Sequence, residues 1–401
     1  MNKKIMILGA STLQLPAIKK AKELGYQVVV VDMNPDAIGF KEEGISKEVI
    51  STIDIPLVAE AAKRHKINGI MTLASDMPMR TVATVAEEMN LVGISEETAL
   101  RATDKAEMRE ALKKANVPVP MFFEVDNKKE YLNAVCQVKE AGYKCIIKPV
   151  DNSGSRGISL LPNYNEVTIE RAFNYSKEYT RSGSLMVEEF MEGPEVSVET
   201  LSISGKCHVI QITDKLTTGA PYFVEMGHSQ PSQLAENVKQ KICEIAIAAN
   251  KAIGIENGPS HTEIKVTKDG PKIVELGARL GGDNITTHLV PLSTGVDMVE
   301  CCIKIALGET PQIYHRFCKA SAIKYFDPGI GVIKSIKGIK EIENIEGIKQ
   351  VSIIHGIGTK INKIKSSTDR VGFVISQANS TKEAINLCNE CLKKIKIEIE
   401  E

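Results

Sequence analysis

No stretch of the chain stays apolar long enough to cross a bilayer, and no leader with a cleavage site opens it: Met1-Asn2-Lys3-Lys4 runs directly into the apolar IMIL. The expectation is a cytoplasmic protein with no membrane partner. Charge of one sign is equally lacking. Lys and Arg number 50 against 51 Asp and Glu, so no basic excess advertises nucleic acid as a partner. A disulfide framework is missing as well, because nine cysteines, an odd number, are scattered through 401 residues and fit reduced thiols. Cys388 and Cys391 do form a CxxC, but on the helical stretch TKEAINLCNECLKKI, with no second CxxC or histidine pair to complete a zinc site. These two, like the adjacent Cys301 and Cys302, read as packing residues. Two nucleotide signatures are absent too. The turn after the first strand is GASTLQ rather than GxGxxG, and neither GxxxxGKS nor GxxxxGKT occurs.

What is present fills two or three domains, since a chain of 401 residues has ample interior for buried cores. Residues 4–9 read as a buried strand, Thr12 to Gly25 as a helix and Gln27 to Asp32 as a second strand, a βαβ opening. Gly9 and Asp32 stand where a dinucleotide-binding domain places its first glycine and its ribose acid, so an NAD-dependent oxidoreductase is the alternative from another class. A helix over 57–66, a strand from Gly69 to Ala74, a helix from Pro78 to Met89 and a short strand at Leu91-Val92-Gly93 complete an open, mostly parallel sheet. Ligands of such sheets sit beyond the carboxyl ends of the strands, where Ser75 and Asp76 lie. The same two residues also suit capping of the next helix.

Asp104 and Glu107 have the spacing of a capping box before a helix from Lys105 to Asn116. Lys105 then projects from a helix N-terminus, against the dipole. An anionic ligand would explain it, and a solvated lysine is the plainer reading. Val117-Pro118-Val119-Pro120 reads as a hinge to the next region. There a helix near Asn127 to Ala141 leads to a strand, Lys144 to Lys148. A tip follows, Asp151-Asn152-Ser153-Gly154-Ser155-Arg156-Gly157, and then a returning strand, Ile158 to Leu161. Small residues in that tip let backbone amides crowd around phosphate oxygens, and Arg156 adds charge, although many hairpin tips look the same. Lys148 sharpens the reading, since a lysine inside an apolar strand needs a partner and a phosphate is a good one. A polar helix over 165–181 precedes the strand Leu185-Met186-Val187. That strand ends in Glu188-Glu189-Phe190-Met191-Glu192-Gly193-Pro194-Glu195, before another from Val196 to Ser204. A strand, a bend and a strand can present backbone groups to a purine edge, with Glu195 accepting from ribose hydroxyls; equally, these acids can face water.

The densest stretch is Ile255 to Asp283, IENGPSHTEIKVTKDGPKIVELGARLGGD. His261 to Thr267 and Pro271 to Leu276 read as two strands joined by Lys268-Asp269-Gly270, with glycine where a positive φ is wanted. If Thr267 faces Pro271, then Ile264, Val266, Val274 and Leu276 share an apolar face and Glu263 lies opposite Glu275 on the other. Opposed side chains have Cβ atoms about 4.5–5.5 Å apart, where two like charges are destabilising unless neutralised. A solvent-exposed hairpin face is the bland alternative. Asn257, His261 and Arg279 crowd the same segment. Carboxylates without a nearby cysteine suit Mg²⁺, which completes its shell with water and nucleotide phosphates.

Together these motifs resemble the ATP-grasp superfamily of carboxylate–amine ligases over nearly the whole chain. The resemblance implies α/β and α+β architecture. A Rossmann-like βαβ domain would cover 1–100, a two-lobed ATP-grasp domain 101–310 with its small lobe at about 117–190, and a β-rich C-terminal domain 311–401. It implies ATP and Mg²⁺ as cofactors, with Mn²⁺ as the alternative ion, small-molecule carboxylate and amine substrates, and an acyl-phosphate intermediate. Lys105 and Lys148 match the lysines that contact ATP phosphates, and 151–157, including Ser153, Gly154, Ser155 and Gly157, matches the glycine-rich lid. Glu188, Glu189 and Phe190 match the adenine-binding connection and Glu195 the ribose acid. Glu263 and Glu275 match the metal ligands, and Arg279 the arginine at the γ-phosphate. EMGHSQPS with ELGARLGGD is similar to the subgroup of amino-acid ligases that make dipeptides, which places His228 near the reacting phosphate; a structural histidine is the other reading. Gly277 stands where many members carry asparagine. Phosphoribosylglycinamide synthetase, joining glycine to phosphoribosylamine, is the rival within the family, and a non-catalytic nucleotide sensor a third reading. A homodimer is the common arrangement for enzymes of this kind.

Overall fold

The computed structural model describes residues 3–152 and 156–400. The N-terminal sheet has four parallel strands in the order Ser46–Glu48, Gln27–Val31, Lys4–Leu8, Gly69–Thr72. Ile5, Met6, Ile7 and Leu8 are fully buried because helices cover both faces, which is why the sequence here is a continuous apolar run and not an alternation. The edge strand Ser46–Glu48, too short and polar to announce itself, was not expected. Leu91-Val92-Gly93 is not a strand. It is squeezed between Asn90, at φ 54°, and the helix Glu96–Thr103 capped by Ser95, leaving no length for pairing.

A second, antiparallel sheet has the order Phe122–Val125, Leu185–Glu189, Cys145–Pro149, Ser159–Leu160. The helices Lys128–Glu140 and Glu166–Lys177 pack on it through Tyr131, Val135 and Ala172, which meet Ile147, Leu185 and Val187. Each helix opens with an asparagine cap: Asn127 accepts from Glu130 N–H and Asn165 from Thr168 N–H.

The largest sheet has eight strands, ordered Gly270–Gly277, Gly258–Thr267, Glu195–Ile203, Lys206–Thr217, Glu225–Gln230, Ala320–Tyr325, Gly372–Ala378, Ile348–Ile353. Its outer strand is not left open, because Ile273 N–H donates to Pro118 O of the Val117-Pro120 segment. The tail strands Ala320–Tyr325, Gly372–Ala378 and Ile348–Ile353 extend this sheet. The segment around residues 366–371 is thereby carried back toward the middle of the molecule. The helix Thr381–Lys394 buries Cys388 and Cys391 against it, the packing role expected of the CxxC. That helix is not the last element. Lys396–Glu400 forms one more strand and pairs with Gly331–Lys337 in a small three-stranded sheet.

Candidate functional site

The hairpin turns more tightly than its sequence implies. Thr267 pairs with Gly270, so the loop is Lys268-Asp269, and Gly270 at φ 110° takes the positive-φ position. From there the ladder pairs Val266 with Pro271, Lys265 with Lys272 and Ile264 with Ile273, one residue out of the expected register. A β-bulge between Glu263 and Ile264 then absorbs Val274, and Glu263 still comes to lie opposite Glu275. The bulge changes which residues face inward. Ile264, Ile273 and Leu276 fill the core, whereas Val274, expected on that apolar face, joins Glu275 in the wall of a cavity.

Both glutamates border that cavity, whose volume is about 290 Å³. Each is already matched with a cation. Lys215 Nζ, almost wholly buried, is 2.7 Å from Glu263 Oε1, 2.7 Å from Glu195 Oε1 and 3.5 Å from Glu225 Oε1. Burial alone would make Lys215 easier to deprotonate, but Glu263, Glu195 and Glu225 outweigh it and hold the amine well above its ordinary pKa. Burial likewise disfavours the Glu263 carboxylate, and Lys215 with His261 pulls it well below the usual range. His261 Nδ1 lies 2.7 Å from Glu199 Oε1, and its Nε2 is 3.5 Å from Glu263. Burial lowers the basicity of this ring, yet Glu199 and Glu263 raise its pKa to about 9. Glu275 faces Lys105 Nζ at 3.3 Å.

Lys105 opens a helix, Lys105–Lys114, whose cap Asp104 accepts from Ala106 N–H and Glu107 N–H. One turn on, Arg109 points the same way. Arg109 Nε donates to Glu188 Oε1 at 2.7 Å and its Nη2 to Val274 O, tying the helix to both the second sheet and the hairpin. Lys148 Nζ reaches the other Glu188 oxygen at 2.5 Å. Burial pushes Lys148 down from its ordinary pKa, with Glu188 opposing. Glu188 itself is raised by burial but brought below its usual range by Arg109 and Lys148. Thus Lys148 does have the partner its strand position demanded, and in this structure the partner is a carboxylate. Glu189 accepts from Met121 N–H and from Lys272. Phe190 faces Phe223 with ring centroids 5.9 Å apart, and Lys265 lies over its ring at 5.7 Å.

Asp76 caps nothing. Its carboxylate holds Arg279, with Oδ1 2.8 Å from Nε and Oδ2 3.2 Å from Nη2. Burial works against the Arg279 charge and Asp76 more than restores it. On another wall His228 Nε2 is 3.3 Å from Asp283 Oδ2, and Arg370, brought in by the tail, grips both Asp283 oxygens at 2.8 and 2.7 Å.

The cavity therefore gathers Lys105, Lys148, Glu188, Glu189, Phe190 and Glu195 from one set of expectations. It also gathers His228, Glu263, Glu275 and Arg279 from the other. Gly157, at φ 78°, is not among its lining residues; its amide plane packs where a Cβ would strike Pro149 and Tyr179 at 2.7 Å. Ser153, Gly154 and Ser155 lie outside the described residues. Lys215, Glu225, Asp283 and Arg370 were not anticipated. Lys215 had a readable signal, since it is a lysine within the strand QITDKLT and obeys the same logic as Lys148.

The dinucleotide alternative fares poorly. Gln14 lies over Gly9, where a Cβ would meet it at 2.8 Å, and donates to Leu73 O while accepting from Ser11. Asp32 spends its two oxygens on Ala10 N–H and Asn34 N–H. The loop that would approach a pyrophosphate is filled by its own side chains.

Among the described residues no group of three or more His, Cys, Asp and Glu forms a metal cage, and no helix is long and apolar enough to cross a membrane. Two carboxylates converging on a cavity without a lining cysteine nevertheless suit a hard divalent ion that takes most of its shell from phosphate and water.

A family model described as an ATP-grasp domain matches residues 141–287, and one described as L-amino acid ligase C-terminal domain 2 matches residues 324–400. Alanine–anticapsin ligase of Bacillus subtilis (strain 168) is 27% identical over 320 residues, 74% of this chain and 66% of that protein, so the chain spans about two thirds of that relative's length. Phosphoribosylamine–glycine ligase of Methanocaldococcus jannaschii is 25% identical over 427 residues, covering 99% of this chain and 94% of that protein. The crystal structure of an L-amino acid ligase from Bacillus licheniformis superposes with a TM-score of 0.85 at 24% identity, covering 100% of this chain and 99% of that one. At that identity the likeness is one of fold.

Proposed function

We propose that this chain, which belongs to the ATP-grasp superfamily, is an ATP-dependent ligase that joins the carboxylate of an amino acid to an amine through an acyl phosphate. The observation that carries this reading is the bulged hairpin, which sets Glu263 against Glu275 on one cavity wall facing Lys105, Lys148, Lys215 and Arg279. Phosphoryl transfer asks a protein mainly for positioning and charge stabilisation, so this inventory suffices without a nucleophilic side chain. A Mg²⁺ ion held by Glu263 and Glu275 would supply charge neutralisation between the β- and γ-phosphates.

The protein's own residues do the rest. Lys105 and Lys148, now paired with acids, are the cations a triphosphate would engage, with Lys215 as the counter-charge buried among Glu195, Glu225 and Glu263. Phe190 and Phe223 offer apolar faces to the base, and Glu195 an acceptor for the ribose. Arg279, braced by Asp76, holds charge where the carboxylate oxygen meets the γ-phosphate. Walls from the second sheet shelter the acyl phosphate from water.

The second reading, glycine joined to phosphoribosylamine, is favoured by the 99% coverage of the chain by the archaeal relative. Against it stands the match of residues 324–400 to an L-amino acid ligase tail domain. ADP release measured with single amino acids, amino acid pairs, glycine plus phosphoribosylamine, and no acceptor decides between them. Release that requires an amino acid pair, with a dipeptide product, supports the first reading. Release only with phosphoribosylamine supports the second, and release with none contradicts both.

A further inference from the structure

Three side chains at the cavity are given no role in the reading above: His228 and Asp283 in its wall, and Arg370 behind them. His228 lies on the strand Glu225–Gln230, opposite Lys215 on one neighbouring strand and Ile323 on the other. Its Nε2 meets Asp283 Oδ2 at 3.3 Å. An ionised carboxylate can only accept, so Nε2 carries the proton and donates it to that bond. Nδ1 is then the free lone pair. It is buried and has no hydrogen-bond partner among the described residues, although the ring lines the cavity. A buried polar atom left unmatched in this way calls for a reason, and a catalytic role is one.

Asp283 is not free to turn away. Arg370 grips both of its oxygens and is itself fixed on three sides. Nε donates to Ser367 O at 2.8 Å, Nη1 to Glu225 O at 3.0 Å, and the guanidinium stacks on the Tyr325 ring at 3.7 Å. The Tyr325 hydroxyl donates to Asp283 O at 3.2 Å. Asp283 and Asn284 have φ of 51° and 63°, which non-glycine residues sustain only where their surroundings over-determine them. An acid that orients one imidazole nitrogen so that the other can take a proton is the arrangement of a general base.

We infer that His228 is the general base of the amine-capture step, with Asp283 orienting its ring and Arg370 positioning Asp283 from the C-terminal segment. The inference rests on the ligase reading. An amine acceptor arrives at neutral pH as an ammonium and cannot attack. Nδ1 of His228 takes one proton, and the freed nitrogen lone pair forms the C–N bond at the acyl carbon. The C–O bond to phosphorus then breaks, its electron pair leaving with the phosphate. The nitrogen's second proton goes to the departing phosphate, and His228 returns its own to solvent. The charged groups facing the ring are Asp283, Arg370, Lys215 on the adjacent strand and Glu225 three residues earlier. Lys324 pairs with Gly227 and so faces the other side of the sheet.

Hydroxylamine separates this role from the rest of the reaction, because its nitrogen is already unprotonated at neutral pH and captures acyl phosphates as hydroxamates. With a panel of amino acids as carboxylates, His228→Gln should lower amide formation at pH 7 by about 100-fold relative to hydroxamate formation. Asp283→Asn should move the same ratio in the same direction. In His228→Gln the amide rate should climb about tenfold per pH unit as free amine accumulates, with a shallower rise in the parent protein. Hydroxamate production in each variant also reports that it has folded. Equal slowing with both nucleophiles at every pH overturns the assignment and leaves His228 a phosphate-side or structural residue. A parent protein that makes neither ADP nor hydroxamate from any carboxylate overturns the ligase reading itself.

Discussion

The carboxylate of Asp76 reaches Arg279 across the open face of Gly277. Oδ1 is 2.8 Å from Arg279 Nε, and a Cβ placed on Gly277 would stand 2.9 Å from that same Oδ1 and 3.3 Å from Nε. A side chain here would displace the Asp76 carboxylate from its partner, and that includes the asparagine which many members of the family carry at this position. Gly277→Asn is expected to push Asp76 and Arg279 apart and lower kcat/KM for ADP release by about 100-fold, the scale of an ångström-level misplacement of a reacting group. Circular dichroism would show the fold retained. Wild-type kinetics would mean that Arg279 does not depend on Asp76.

Lys215 is the buried counter-charge for Glu195, Glu225 and Glu263. Its replacement by methionine leaves three acids uncompensated in a confined space, and loss of one partner of a buried ion cluster costs about 3–5 kcal/mol. Urea denaturation of Lys215→Met should show a loss of that order, partly recovered in the double variant with Glu263→Gln. Additive losses would show that the two residues do not interact.

His261 gives the free protein a pH dependence of known sign. Its pKa is raised from 6.5 to about 9 on folding, because the nearby carboxylates of Glu199 and Glu263 overcome the penalty of burial. The protonated ring is thus bound more tightly by the folded state. Its contribution is complete below about pH 6.5 and is lost as pH rises through about 9, amounting to a few kcal/mol at most. Thermal melts of the parent protein should fall across that window, and His261→Gln should flatten the decline. An unchanged slope in the variant would place the titration elsewhere.

Much of this site was legible because its logic is local. Glu263 and Glu275 are twelve positions apart across one turn, and opposed acids on a strand face need a cation whatever the fold. The bulge was not legible, since Val274 is as good a strand residue as Ile273 and nothing in the composition shows which one is supernumerary. Lys148 announces itself as a lysine in an apolar strand; Lys215 obeys the same rule, but its strand also carries Asp214 and polar neighbours that blur the signal. Asp76 with Arg279 and Asp283 with Arg370 are of another kind. Their partners are 203 and 87 positions apart: the first pair needs the N-terminal sheet docked beside the hairpin, and the second needs the tail strands to extend the eight-stranded sheet. Gly9 and Asp32, the basis of the dinucleotide alternative, are local signals of the opposite kind. Their spacing fits a dinucleotide, but Gln14 fills the loop.

The most direct test concerns the second hairpin carboxylate. Mg²⁺-dependent ADP release by Glu275→Gln, measured with the amino acid pair that the parent protein turns over best, should fall at least about 100-fold while circular dichroism and the thermal melt stay close to the parent's. Turnover at the parent's rate, with the same Mg²⁺ requirement, would show that Glu275 does not serve the metal and that the bulged hairpin is not the centre of the chemistry.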